Sequence, residues 1–155
     1  MTSSPEATGR VAGIDYGSVR IGIAISDPGR TIVSPLENYT RRSCEQDARR
    51  FRLLASEEGV ALFVVGLPVH LDGRESQKSS EAREFGRWLA ETTGVPVEFF
   101  DERFTSLEAE YLLQAADLTK KRRKKRLDML AAQIMLTAYL ESHEKGSQGT
   151  HAIDG

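Results

Sequence analysis

Two β-branched, apolar segments open the pattern, Val11–Tyr16 and Arg20–Ser26, and the stretch Asp15–Ser18 between them holds turn chemistry. That pattern predicts a β-hairpin. A third strand is predicted over Thr31–Tyr39, flanked by Pro28 and Gly29 and interrupted by Pro35. From Cys44 to Glu58 the apolar residues Ala48, Phe51, Leu54 and Ala55 recur at helical spacing, and Gly59 ends the run. Val60–Leu67 reads V-A-L-F-V-V-G-L, a fully buried central strand stopped by Pro68. A second helical stripe, Ala82, Phe85, Trp88 and Leu89, spans Ser79–Thr93 and closes at Gly94. Val95–Phe100 is a further strand. Ser106 caps a helix with Leu107, Tyr111, Leu112 and Ala115 on its apolar side. The last helix runs from about Leu127 to Ser142.

The order β-β-β-α-β-α-β-α-α makes an α/β fold. An antiparallel opening followed by βαβ units predicts a mixed sheet with helices on its faces. In such sheets the functional site lies at the carboxyl ends of strands. The polar, Gly/Ser/Thr-rich ends, residues 1–9 and 145–155, read as flexible tails around one domain over 10–144.

Composition adds little to this picture, and charge distribution adds more. The lone cysteine, Cys44, leaves no intrachain disulfide, which makes a reducing cytoplasm the default. The N-terminus has no signal-peptide pattern, and no apolar run approaches the roughly 20 residues of a membrane span, so no membrane partner is expected. Net charge is −2, but seven cations stand in a row, Lys120, Lys121, Arg122, Arg123, Lys124, Lys125 and Arg126. Without those seven, 14 cations face 23 acids, a balance of −9. A dense basic strip on an acidic body is a phosphate-contact candidate with strong salt dependence and little sequence preference.

The acids occupy telling positions. Asp15 arrives where its apolar strand stops, and Gly17 beside it would leave room for a phosphate or a metal. Its bland reading is a turn-forming Asp. Asp101 and Glu102 follow V-E-F-F at another strand end, with Arg103 next to them; a solvated loop is the bland alternative there. Asp128 opens a helix that is apolar almost all round, L-D-M-L-A-A-Q-I-M-L-T-A-Y-L, where dipole complementation is the simpler role. Ala131 and Ala132 would let that turn approach the sheet closely. Two carboxylates from strand ends and one from a helix start, converging at one sheet edge, form a hard-oxygen site suited to Mg²⁺ or Mn²⁺. Such sites hydrolyse phosphodiesters. His70, His143 and His151 are scattered and offer no zinc alternative.

Four segments together carry a resemblance: G-I-D-Y-G-S-V-R-I-G-I-A-I-S-D (13–27), V-V-G-L-P-V-H-L-D-G (64–73), D-E-R-F-T-S (101–106) and L-D-M-L-A-A-Q-I-M-L-T-A-Y-L (127–140). In this order they resemble the YqgF family, to which both Holliday-junction resolution and pre-16S rRNA cleavage have been attached. The resemblance implies an RNase H-like, five-stranded mixed sheet in a three-layer α/β/α arrangement. It implies Asp15, Glu102 and Asp128 as metal-binding catalytic acids, with Asp101 as an alternative ligand. It also implies maturation of the 5′ end of small-subunit ribosomal RNA in bacterial cytoplasm. Lys120–Arg126, with Arg20 and Arg103 as weaker candidates, would hold the nucleic-acid backbone. The expected partners are structured RNA such as pre-16S rRNA, or branched DNA, together with ribosomal particles, the protein acting as monomer or homodimer. Two readings compete with this metal-dependent endonuclease. One is a non-catalytic module docking on RNA or ribosomes through the basic strip. The other is an actin- or sugar-kinase-type phosphotransferase, which would need a second lobe.

Overall fold

The computed structural model describes residues 9–68, 76–102 and 129–143. Residues 1–8, 69–75, 103–128 and 144–155, and with them most of the predicted tails, the predicted Ser106 helix, the basic run and Asp128, lie outside the described residues.

Five strands form one sheet: β1 (Arg10–Asp15), β2 (Arg20–Ser26), β3 (Val33–Thr40), β4 (Val60–Leu67) and β5 (Val97–Asp101). Their spatial order is β3-β2-β1-β4-β5. The hairpin pair β1–β2 and the pair β2–β3 are antiparallel, whereas β4 runs parallel to both β1 and β5. The carboxyl ends of β1, β4 and β5 therefore emerge at the same edge of the sheet.

Strand alternation splits the core into two layers. Ala12, Ile14, Ile21, Ile23, Phe63 and Val65 face α1 (Cys44–Glu58) and α2 (Gln77–Thr93), packing with Phe51, Leu54, Phe85 and Leu89. Val11, Ala24, Leu62, Val64 and Phe100 face the other way, onto a helix over 129–143, here α3, through Ala132, Met135, Leu136 and Tyr139. The result is the expected three-layer α/β/α arrangement. β4 is buried on both faces, as a continuous apolar run requires.

Local chemistry fixes the boundaries. Ser43 caps α1 in a reciprocal capping box with Gln46, and Gly59 ends it in the left-handed region at φ 63°. Helix α2 starts two residues earlier than the apolar stripe predicts, at Gln77, because Ser76 caps it by accepting from Ser79 N–H at 3.0 Å. Thr31 and Ile32 are not strand residues: their N–H groups both donate to Asp27 Oδ1 at 2.7 Å, so β3 starts at Val33. Those backbone bonds hold the Asp27 carboxyl down at about 2. No helix of the described residues is long and apolar enough to cross a membrane.

Candidate active site

The period-two alternation of strands decides where the acids go. On β1, Val11, Gly13 and Asp15 share one face. Val11 packs with the α3 cluster, and a Cβ placed on Gly13 would lie 2.8 Å from Leu136 Cβ and 3.2 Å from the Ala132 carbonyl. Asp15 is therefore on the α3 side. The expected close approach of the helix is made by Ala132, which is fully buried, against a glycine that has no side chain to keep it away.

On β5 the same rule separates the neighbouring acids. Phe100 packs against Tyr139 of α3, with ring centroids 5.8 Å apart, and Glu98 accepts from the Tyr139 hydroxyl at 2.8 Å. Residues 98, 100 and 102 thus belong to the α3 face, and Asp101 to the opposite one. Direct contact bears this out for Glu102. A Cβ on Gly66 would lie 2.5 Å from Glu102 Oε1 and 3.2 Å from its Cγ and Cδ. The Glu102 side chain lies across Gly66 on β4, the strand between β5 and β1. Val65 pairs with Ile14, so Gly66 is in the next row, level with Asp15 and about 4.8 Å from it, one strand spacing.

Glu102 is mostly buried, and burial pushes its carboxyl above the ordinary carboxylate range, with the neighbouring Asp101 charge adding to the rise. A carboxylate whose charge is disfavoured by burial and by a like charge is one that a cation would relieve. The donors are carboxylate oxygens, which match a hard divalent ion. The pair Asp15 and Glu102 therefore fits such an ion. Among the described residues no group of three or more His, Cys, Asp or Glu stands together; the third expected acid, Asp128, lies outside them.

Arg20 opens β2 two residues before Gly22, which pairs with Asp15. Alternation puts Arg20 on the same face as Asp15 and Ala24. Arg103 and Lys120–Arg126 lie outside the described residues. Gly17 has a different role from the one expected. A Cβ there would fall 2.3 Å from the Arg20 carbonyl oxygen, so the glycine serves the turn's own backbone rather than an incoming phosphate. Sequence reasoning missed Gly66. Its small size is visible in V-A-L-F-V-V-G-L, but its meaning depends on the strand pairing.

The three-layer RNase H-like sheet carries Asp15 and Glu102 on one face at its carboxyl edge, and its family and relatives make this a phosphodiester-hydrolysing class of protein. Structures support the fold: this chain superposes on T. thermophilus RuvC in complex with Holliday junction substrate with a TM-score of 0.56 at 15% identity, covering 87% of this chain and 96% of that one. The RuvX family model, described as Holliday junction resolvase, matches residues 9–142, and the chain belongs to that family. A relative from Rhodopirellula baltica, named "Putative pre-16S rRNA nuclease", is 47% identical over 149 residues, covering 96% of this chain and 86% of the relative. Another of the same name, from Koribacter versatilis, is 37% identical over 133 residues, covering 86% and 87%.

Proposed function

We propose that this protein is a metal-dependent endonuclease that matures the 5′ end of pre-16S ribosomal RNA in the cytoplasm, with Mg²⁺ or Mn²⁺ as the resident ion. One observation carries the reading: the Glu102 carboxylate is laid over Gly66, in the row of Asp15, at the carboxyl end of the sheet. The name of the R. baltica relative, at 47% identity, favours RNA as substrate. Asp15 and Glu102, with Asp128 as third ligand, would hold the ion; Asp101, the alternative ligand the resemblance implies, faces the opposite layer and is set aside. When bound, it supplies charge stabilisation to a phosphodiester under attack by water. Arg20, on the same face, would orient the phosphate, and Lys120–Arg126 with Arg103 would draw in the backbone. The unit of this activity would be residues 10–144, docking on ribosomal particles as a monomer or homodimer.

The test is cleavage of a pre-16S 5′ fragment and of a four-way DNA junction, with Mg²⁺ or Mn²⁺, by wild type, Asp15→Asn and Glu102→Gln. RNA cleavage abolished in both variants is expected. Preferred cleavage of the junction would replace the substrate with branched DNA, as the family description suggests. Equal cleavage by wild type and variants would overturn the assigned residues. RNA binding by all three proteins without cleavage would leave a non-catalytic module.

A further inference from the structure

We propose that Arg41 is a positioning residue. It clamps the turn that follows Asp15 and so sets the geometry of that carboxylate; the inference rests on the nuclease reading above. Asp15 is the last residue of β1, and its pairing with Gly22 is the last rung of the hairpin ladder. Beyond it the chain leaves the sheet, where an unsupported hairpin end frays. Arg41 grips this turn at both sides. Its backbone N–H donates to the Val19 carbonyl at 2.9 Å, and its Nη1 donates to the Tyr16 hydroxyl at 2.8 Å. Tyr16 is the neighbour of Asp15 and points to the opposite face, where its ring packs on Phe85 with centroids 5.0 Å apart. The Arg41 guanidinium lies 5.3 Å from the Tyr16 ring centre and 5.8 Å from that of Phe85, within cation–π range.

Arg41 is itself anchored. Its Nε lies 3.5 Å from Asp47 Oδ2, and Asp47 is only 1% exposed. Asp47 Oδ1 also accepts from the Tyr39 hydroxyl at 2.6 Å and from Arg42 N–H at 2.9 Å. A buried carboxylate with these fixed donors keeps a cation in one place, and Arg41 is the cation it holds. The path Asp47–Arg41–Tyr16 thus ends one residue from Asp15.

Direct phosphate binding by Arg41 is the rival explanation, since the residue lines an open cleft of about 230 Å³. Glu81, Glu84 and Asp47 line the same cleft, and three carboxylates repel a phosphate. That charge balance favours an internal role.

Two conservative variants test it. Tyr16→Phe keeps the ring and removes only the hydroxyl. Arg41→Lys keeps the charge but has no planar fork to reach Asp47 and Tyr16 together. The wild type, both variants and the double variant are compared for cleavage, thermal melting and Mn²⁺ affinity by electron paramagnetic resonance. The expected result is a roughly tenfold fall in kcat with KM held within about twofold, since misplacing a reacting group costs rate rather than binding. Mn²⁺ affinity weakens about threefold in both, and the double variant is no worse than the poorer single one, because both break one contact. A rise in KM alone would make Arg41 a substrate contact and overturn the proposal. Unchanged kcat would overturn it as well. Should the wild type cleave neither substrate, the nuclease reading fails on its own account, and Mn²⁺ affinity still decides the clamp: no difference between wild type and variants refutes it.

Discussion

Adding one methyl group at Gly66 separates the site from the fold. In Gly66→Ala the new Cβ would stand 2.5 Å from Glu102 Oε1, where ordinary contact begins near 3.4 Å. The carboxylate must retreat by roughly 1 Å, and a misplacement of that size at a reacting group costs on the order of 10²-fold in rate. The displaced atom is the far end of a flexible side chain, so the backbone need not move. Alanine in a strand interior is also worth about 0.5–1 kcal/mol over glycine. The variant should therefore melt at or above the wild-type temperature while losing about 100-fold in kcat/KM. Gly13→Ala is the matched control on the same face. Its Cβ meets Leu136 Cβ at 2.8 Å and the Ala132 carbonyl at 3.2 Å, part of a helix backbone that cannot swing aside. Overpacking of that kind costs about 1–3 kcal/mol and lowers the melting temperature by several degrees. The assay is Mn²⁺-supported cleavage of the pre-16S fragment beside a circular-dichroism melt. Gly66→Ala with cleavage close to wild type would show that Glu102 does not work from above this glycine. Loss of activity only in step with loss of fold would refute the separation.

Three further outcomes follow from the same geometry. Burial raises the Glu102 carboxyl above its ordinary value of 4.5, so the folded state binds its proton more tightly than the unfolded one; stability from this group is present below that value and is lost as pH rises through the folded pKa. Glu102→Gln in EDTA should melt higher than wild type at pH 7 with the gap closing below about pH 4.5, and an equal gap at both pH values would contradict this. Tyr39→Phe removes the 2.6 Å bond to buried Asp47 and should destabilise by about 1–3 kcal/mol in urea unfolding; Tyr39, whose own hydroxyl is pushed up to about 12 by burial and by Asp47, stays a donor throughout the accessible range. Replacing Lys120–Arg126 with Gln should flatten the dependence of RNA binding on salt, read as the slope of log K against log [KCl]; an unchanged slope removes the strip from the interface.

Elements with their own punctuation could be read from residues alone. β2, α1 and β4 begin and end as predicted: Ser43 and Gly59 bound α1, Pro68 stops β4, and the apolar pattern of β2 runs to its ends. The errors fall where tertiary contacts override the pattern. Ile32 looks like strand but is 66% exposed, and its N–H goes to the Asp27 carboxylate. Val95 belongs to an apolar run, yet pairing with β4 starts only at Val97. The first turn of α2 carries no apolar stripe, so its start was visible only in the cap Ser76. Asp15 and the Asp101–Glu102 pair stood out because charge ended an apolar run. The Asp47–Arg41–Tyr16 path gave no such signal: Arg41 and Tyr16 are 25 residues apart, and only the packing of α1 and β3 against the hairpin joins them.

Parity explains why one of two adjacent acids is suited to the site. Asp101 and Glu102 are indistinguishable by composition or distance along the chain, but consecutive strand residues face opposite layers. A shift of one residue therefore carries a carboxylate from the α3 side of the sheet to the α1–α2 side. Glu102 faces Gly66 and Asp15, and its longer side chain can lie across the intervening strand. That reach is open only because β4 has no Cβ at Gly66. Gly13, two positions before Asp15 on the same face, does for the α3 backbone what Gly66 does for Glu102. Both absences of a side chain weaken a strand locally. They lie where the α3 backbone and the Glu102 carboxylate come closer to the sheet than any side chain would allow, so that Glu102 and α3 share a single face of the sheet.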